Sequence, residues 1–337
     1  MKIAINLINT YNNDPALSVF TSECWQDIAA LKPDHRFVFL KGHKDPFFSA
    51  GKNVDLRVIR QVGPGWYDRW KLHQTLRRLQ VSRVINILQT GFRIRHLLHN
   101  KNEKAAGKTD QLVLFENNGV EYLQKNKIAP VITLVKPACR SGAAELSWAA
   151  AESIKTQFTG GRSFFLFAGN IAAQHQLVEL LKAFSIFKKW QQSNMQLVVA
   201  GYSTDWTETL EEKLRQYKFR ADIILLKNPS AETAEQLMAA CYAVVLPLTA
   251  NVFCPSLPLA VQSGKALIVS DQAVNRAIIA SAEWVDKNNT AEGFAKAMIL
   301  LYKNEKHLQW LQQQSREAAM QLSRRQMLSA VWDCIEK

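Results

Sequence analysis

The sequence predicts an α/β protein built from two doubly wound domains, and three observations carry that expectation. Apolar runs of strand length alternate with amphipathic stretches of helical length along the 337-residue chain. In the second half two of these runs, SFFLFAG and MQLVVAG, end in glycine, where a chain turns sharply from strand to loop. The composition, 47% hydrophobic with 14 Gly and 10 Pro, is that of a packed globular chain, too long for one ordinary core.

The first half begins with a strand, KIAINLI. Its apolar run is too short for a signal peptide, and no small-residue cleavage site follows. SVFTSECWQDIAAL follows with helical spacing through Phe20, Cys24, Ile28 and Leu31. RFVFL and VDLRVIR read as strands, WYDRWKLHQTLRRLQ as a basic amphipathic helix and SRVINILQ as a further strand. This alternation argues for a parallel sheet with crossover helices. Residues 99–110 read as a loop, QLVLFENNGVEYLQKNKI as strand, turn and short helix, and APVITLVKPA as a strand. Residues 139–163 contain a helix and a Gly-Gly break and form the best boundary.

The second half alternates more cleanly. After SFFLFAG comes a long helix whose Leu177, Leu180, Leu181, Phe184 and Phe187 make one apolar face. MQLVVAG, ADIILL, AVVLPL, ALIVSD and EWV are strands, with TETLEEKLRQYKF and SAETAEQLMAACY as intervening helices. Ser230 and Thr290 stand at N-cap positions. Residues 306–337 read as helical throughout. The domains expected are residues 1–150, residues 160–320, and a terminal helix, 321–337, that returns to the first domain.

No run approaches the roughly 20 apolar residues of a membrane span. The five cysteines (Cys24, Cys139, Cys241, Cys254 and Cys334) are scattered and form no CxxC pair, so neither a zinc site nor a disulfide framework is suggested, and a cytoplasmic setting is expected. The net charge is +13, and residues 1–150 hold 22 Lys and Arg against 12 Asp and Glu. A basic half attracts nucleic acid, an anionic membrane or a phosphorylated ligand, or is an ordinary solvated surface. The basic residues are dispersed rather than interleaved with aromatics, so nucleic acid is not expected. In the basic helix, Trp66, Trp70 and Leu72 lie on or near one face, which either docks on a membrane or packs the helix by its Trp face; the latter is the commoner pattern.

The order SFFLFAGN, LVELLKAFSIFKK, MQLVVAG, SAETAEQLMAACYAVVLPL and then NVFCPSLPLAVQSGKALIVSD, over residues 160–320, resembles the C-terminal domain of GT-B glycosyltransferases of the family-4 (glycosyl transferases group 1) type. The first half resembles the family more weakly, through KIAINLI, SVFTSECWQDIAAL and the LRRLQVSRVINI segment. The resemblance implies two Rossmann-like domains facing across a cleft and a last helix that crosses back. It implies transfer of a sugar from a nucleotide-sugar donor to a glycan or lipid-linked acceptor, without a metal or other cofactor. It also implies a place in cell-surface polysaccharide biosynthesis, and the basic first half leaves open a peripheral contact with the anionic inner face of a membrane.

In that family a segment of the form E-G-F-G-L-P-x-x-E-A-M-A-C-G-x-P holds the donor. Here Asn251 takes the first Glu position, Phe253 the Phe position, Ser256 the Pro position and Leu259 the second Glu position. A carboxylate accepts from two ribose hydroxyls at once; Leu259 does neither, and Asn251 accepts one bond and donates another. Gln174 and His175 stand where Arg and Lys neutralise the donor diphosphate, and the family's Asp-x-x-His is Arg83, Val84, Ile85 and Asn86.

The expected substrate-binding set is therefore Gly169, Gln174, His175, Asn251, Phe253, Ser256, Leu257 and Leu259, with no catalytic residue identified. Alternatives stay open for several members. Asn251 is a sugar contact or a turn former. His175 is a phosphate contact, charged by a nearby diphosphate, or a neighbour of a helix cap. Gly169 serves a tight strand-to-loop turn with or without a ligand. The amides of Leu257 and Leu259 sit at a helix start that suits an anion, although Pro258 leaves that turn one donor short. Three functions fit: a divergent metal-independent glycosyltransferase, a GT-B protein that binds a nucleotide, glycan or partner transferase without turnover, or a basic surface-binding protein on the same scaffold.

Overall fold

The computed structural model describes residues 1–8, 14–42, 51–59, 65–88, 91–96, 111–114, 131–140, 146–248, 253–279, 281–285, 288 and 290–336. The chain divides into two compact units: residues 1–135 with 325–337, and residues 136–324.

The first unit contains β1 (Lys2–Asn6), α1 (Pro15–Leu31), β2 (Arg36–Lys41), β3 (Val54–Val58), α2 (Gly65–Arg78), β4 (Arg83–Leu88), β5 (Gly91–His96), β6 (Gln111–Leu114) and β7 (Val131–Leu134). Its sheet order is β3-β2-β1-β4-β5-β6-β7. The pairs β1–β2, β2–β3, β1–β4 and β6–β7 are parallel. The β5 strand runs antiparallel to both its neighbours, so the uniformly parallel sheet expected from strand–helix alternation is corrected. Its sequence, GFRIRH, alternates apolar with basic residues, as antiparallel strands do, and a strand two residues after another needs no helix to return it. The loop expected at 99–110 and the turn and helix expected after β6 lie outside the described residues.

Helix α1 starts where Asp14 accepts a hydrogen bond from the Leu17 amide (2.9 Å), with Pro15 pre-set for the first turn. In α2 the buried side leaves out Trp70. Leu72, Leu76 and Leu79 pack against Ala4, Ile8, Val38, Leu40 and Val84, whereas Trp70 is 54% exposed and stacks on exposed Tyr67. Of the expected face, Leu72 reaches the sheet and Trp70 does not, which corrects the expectation for Trp70, while the Trp66 side chain lies outside the described residues.

The second unit contains α3 (Trp148–Thr159), β8 (Phe164–Asn170), α4 (Leu177–Gln191), β9 (Gln196–Tyr202), α5 (Thr207–Arg215), β10 (Ile223–Lys227), α6 (Ala231–Ala240), β11 (Ala243–Leu246), α7 (Ser256–Gln262), β12 (Leu267–Ser270), α8 (Ala273–Ile278), β13 (Glu283–Val285), α9 (Ala291–Lys303) and α10 (Glu305–Ala319). Its sheet, β10-β9-β8-β11-β12-β13, is parallel at every pair. Strands buried on both faces need continuous apolar sequence, and β8 and β11 are buried at every residue. Leu177, Leu180, Leu181, Phe184 and Phe187 of α4 are all buried, as their spacing predicts. Ser230 and Thr290 cap α6 and α9, accepting from the amides of Thr233 and Gly293 at 3.1 Å each. The left-handed Gly160 ends α3.

The tail is not one helix. Residues 320–323 interrupt it, and α11 (Arg324–Glu336) follows. No proline marks the break, and both flanking segments keep helical periodicity, which is why the sequence reads through it. Helix α11 belongs to the first unit: Trp332 stacks on His35 with ring centroids 4.9 Å apart, and Cys334 Sγ donates to Thr133 Oγ1 at 3.3 Å. All five cysteines are free thiols.

The cation of Lys188, buried on α4, lies 3.0 Å from Asp222 Oδ2 and donates to the carbonyls of Ser193 and Met195. Removing the carboxylate leaves a buried charge underneutralised. Asp222→Ala is expected to cost about 2 kcal/mol in urea unfolding, less than a fully buried pair because Asp222 keeps contact with water. Thr290→Ala, a cap loss alone, is expected to cost about 1 kcal/mol.

Candidate functional site

In a doubly wound parallel sheet, ligands bind beyond the carboxyl ends of the strands where the strand order reverses. In the second unit that point lies between β8 and β11, because β9 and β10 extend to one side and β12 and β13 to the other. The segments that leave these two strands, 171–176 and 247–255, hold four of the eight residues singled out from the sequence, and the other four adjoin them: Gly169 in β8, and Ser256, Leu257 and Leu259 in α7.

Gly169 of β8 pairs with Gly201 of β9. A Cβ on Gly201 would stand 2.6 Å from the Gly169 carbonyl oxygen and 2.9 Å from Ile171 Cγ1. A Cβ on Gly169 would stand 3.1 Å from His175 Cε1 and 3.3 Å from Phe167 Cζ, and its φ of +155° is one that side-chain-bearing residues rarely adopt. The glycines let the loop fold back over the strand ends. The Ile171 amide then donates to the Tyr202 carbonyl (2.8 Å), and Thr204 Oγ1 donates to the Ile171 carbonyl (2.5 Å).

That fold-back buries His175. Its ring sits edge-on to Phe167 with centroids 5.4 Å apart. Burial pushes its pKa down to about 4, against a smaller opposing effect of a hydrogen bond with the Asn170 backbone. His175 is therefore neutral near pH 7 in the ligand-free chain: the ring fills the space above Gly169 and has too little water around it to hold a proton. Its Nδ1 has no hydrogen-bond partner among the described residues. Gln174 beside it is exposed. Helix α4 follows, with left-handed Gln176 at its N-cap and no side-chain cap, so its first-turn amides are left to water or a ligand.

After β11, Asn251 lies outside the described residues. Phe253 and Leu257 are buried in the core, whereas Ser256 and Leu259 are half-buried. The Leu257 amide donates to the Cys254 carbonyl at 3.0 Å. It is thus satisfied locally. The structure brings Gly169 and His175 together, and it turns Phe253 and Leu257 inward.

Two residues at this edge escaped sequence reasoning. Ser270, at the end of β12, accepts from the Leu248 amide through Oγ (2.8 Å) and so holds the exit of β11. Asn275, on α8, donates to the Ser270 carbonyl (2.8 Å), while its buried Oδ1 has no partner among the described residues. The only sequence signal was polar residues directly after an apolar strand. The first unit has its own reversal between β1 and β4, where Asn6 Nδ2 donates to Asn86 Oδ1 (2.9 Å). Among the described residues no group of three or more His, Cys, Asp and Glu side chains is placed to hold a metal ion. The edge offers amides, neutral side chains and helix starts, groups that bind an anion or hydroxyls without titrating near neutrality.

Two doubly wound units, with the last helix belonging to the first, define the GT-B class of glycosyltransferase folds. The sequence profile described as Glycosyl transferases group 1 matches residues 150–318, half of the chain, and the chain belongs to that family. Among solved structures it is similar to WaaG, a glycosyltransferase involved in lipopolysaccharide biosynthesis (TM-score 0.79, 12% identity, 99% of each chain covered). It is also similar to HepE of Anabaena, solved in complex with UDP-glucose (TM-score 0.76, 12% identity, 100% of this chain and 99% of that one). A third likeness is to sucrose-phosphate synthase of Thermosynechococcus elongatus (TM-score 0.70, 12% identity, 100% and 98% covered). At such identity these show the fold. No curated protein matches the chain by sequence.

Gly201→Ala must displace backbone, and overpacking of this kind is expected to cost about 1–3 kcal/mol, read by urea unfolding. His175 sets a pH dependence. Above its unfolded pKa of 6.5 both states are neutral. As pH falls below that value the unfolded chain takes a proton that the folded chain refuses until about pH 4, so stability is lost across this window. Unfolding at pH 7 and pH 5 should show a smaller acid loss in His175→Gln than in the parent.

Proposed function

We propose that the chain transfers a sugar from a nucleoside-diphosphate sugar to a glycan or lipid-linked acceptor, without a metal ion. The observation that carries this reading is the family match over residues 150–318, which spans the whole switch-point edge of the second unit. The likeness to a structure solved with UDP-glucose supports a nucleotide-sugar donor. The diphosphate would lie at the switch point, against the Gly169–Gln176 loop, the first-turn amides of α4 and the segment holding Asn251. Fixed dipoles of this kind stabilise a leaving diphosphate without reorganising. His175 would act as a neutral hydrogen-bonding group or a filler of the loop. Leu259 would stand beside the ribose.

The acceptor would meet the first unit, whose excess of positive charge suits a phosphorylated or membrane-bound molecule. Exposed Trp70 and Tyr67 on the basic helix α2 favour a peripheral contact with the anionic inner face of a membrane. No helix among the described residues is long and apolar enough to cross one.

A second reading is favoured by the side chains themselves. Leu259 and Asn251 stand where the resembled motif has carboxylates, so the site could bind a donor without turning it over. Titration calorimetry with UDP, GDP and ADP is the test of both. Binding of one diphosphate, unaffected by EDTA and followed by slow hydrolysis of the matching nucleotide sugar, is the outcome expected. Binding without hydrolysis would leave the second reading, and no binding would remove both. Because Leu259 is half-buried, Leu259→Glu should fold and strengthen donor binding by about tenfold, as a hydrogen bond from a ribose hydroxyl to a charged group would.

A further inference from the structure

The opposite edge of the same sheet, where the strands of the second unit begin, carries a groove of about 680 Å³, within the range of small-molecule sites. One wall is α3, which presents Trp148, Ala151 and Lys155 on one face. The other is α10, which presents Gln312, Arg316 and Ala319 on one face. The alanines give the groove depth. Its floor is made by the turns that enter β11 and β12, where α6 and α7 end. Trp148 stands at the rim, 79% exposed, where its indole adds little to the core.

This chemistry selects among ligands. A phosphate is a poor match: the floor holds the negative ends of two helices. The lysines of the groove are engaged, Lys265 Nζ with the Cys241 carbonyl (3.4 Å) and Lys155 Nζ with Glu152 (2.8 Å). An apolar peptide is also a poor match, because the lining is rich in Ser, Gln, Lys and Arg. A saccharide needs what the groove has. Its hydroxyls accept from guanidinium and side-chain amide N–H groups and donate to a side-chain amide oxygen within one small volume. The C–H face of a pyranose ring stacks on an exposed indole.

We infer that the groove between α3 and α10 is a saccharide-binding site, separate from the donor edge. The residues are Trp148 as the stacking platform, with Gln312 and Arg316 as hydrogen-bonding partners. The seven-residue strand β8 separates the two edges of the sheet by about 20 Å. A sugar held in the groove is therefore out of reach of a donor at the other edge. It would be a distal part of an extended glycan, or a finished chain retained near the enzyme. The inference does not depend on turnover at the donor edge.

The full chain is titrated by calorimetry with cellotetraose, maltotetraose and tetragalacturonate, and with UDP in parallel. At least one tetrasaccharide is expected to bind at about 0.1–1 mM. Trp148→Ala should weaken that binding by roughly tenfold and Trp148→Tyr by much less, because the phenol ring keeps a stacking face. Gln312→Ala should weaken it severalfold. Thermal midpoints should not move, since these side chains lie at the surface. UDP affinity should be the same in all variants. The inference is overturned if no tetrasaccharide binds at about 10 mM, an affinity below that of any specific site. It is equally overturned if binding survives Trp148→Ala unchanged, or if UDP displaces the sugar. Sugar binding with no UDP binding would sink the donor reading and leave this site standing.

Discussion

Gly169 and Gly201 stand side by side at the carboxyl ends of β8 and β9, and the space their missing side chains leave is filled. The Gly169 carbonyl and Ile171 occupy it on one side, the His175 ring on the other. This close approach places the 171–176 loop and directs the start of α4 toward the point where the strand order reverses. The uncapped first turn of that helix, the unpartnered Nδ1 of His175 and the anchor from Thr204 all follow from it. A side chain at either position would push the loop off the strand ends and take the helix start with it.

The groups nearest the switch point are uncharged, and the charges that follow β12, Asp271 and Arg276, pair with each other. Burial keeps His175 uncharged, Leu259 presents hydrocarbon, and Ser270 and Asn275 hold the exit of β11 through hydrogen bonds that do not titrate. Fixed amides and helix ends bind anions weakly when surrounded by water and more strongly when water is excluded. A site of this kind depends on its shape more than on its formal charge. Small backbone displacements would matter more to it than the loss of any one side chain.

Sequence reasoning worked best where one local rule sufficed. The leucine and phenylalanine face of α4, the Ser230 and Thr290 caps and the glycine-ended strands β8 and β9 were legible because each depends on neighbours a few residues away. The break at 320–323 was not legible, because α10 and α11 are both amphipathic and only their burial in different units separates them. The direction of β5 was hidden for the same reason: pairing is decided between strands, not within one. In α2, Leu72 and Trp70 lie two residues apart, and only the position of the sheet shows that Leu72 faces it and Trp70 does not.

At the candidate site the division is sharper. The sequence by itself determined the class of fold, the family and the departures at Asn251 and Leu259, since residue types at fixed spacing are all that a motif contains. Only the tertiary structure decided that His175 is neutral, that Phe253 and Leu257 belong to the core, and that Ser270 and Asn275 border the site. Protonation and burial are set by how much water surrounds a group. That quantity comes from residues distant in the chain, brought together by packing, and no local pattern records it.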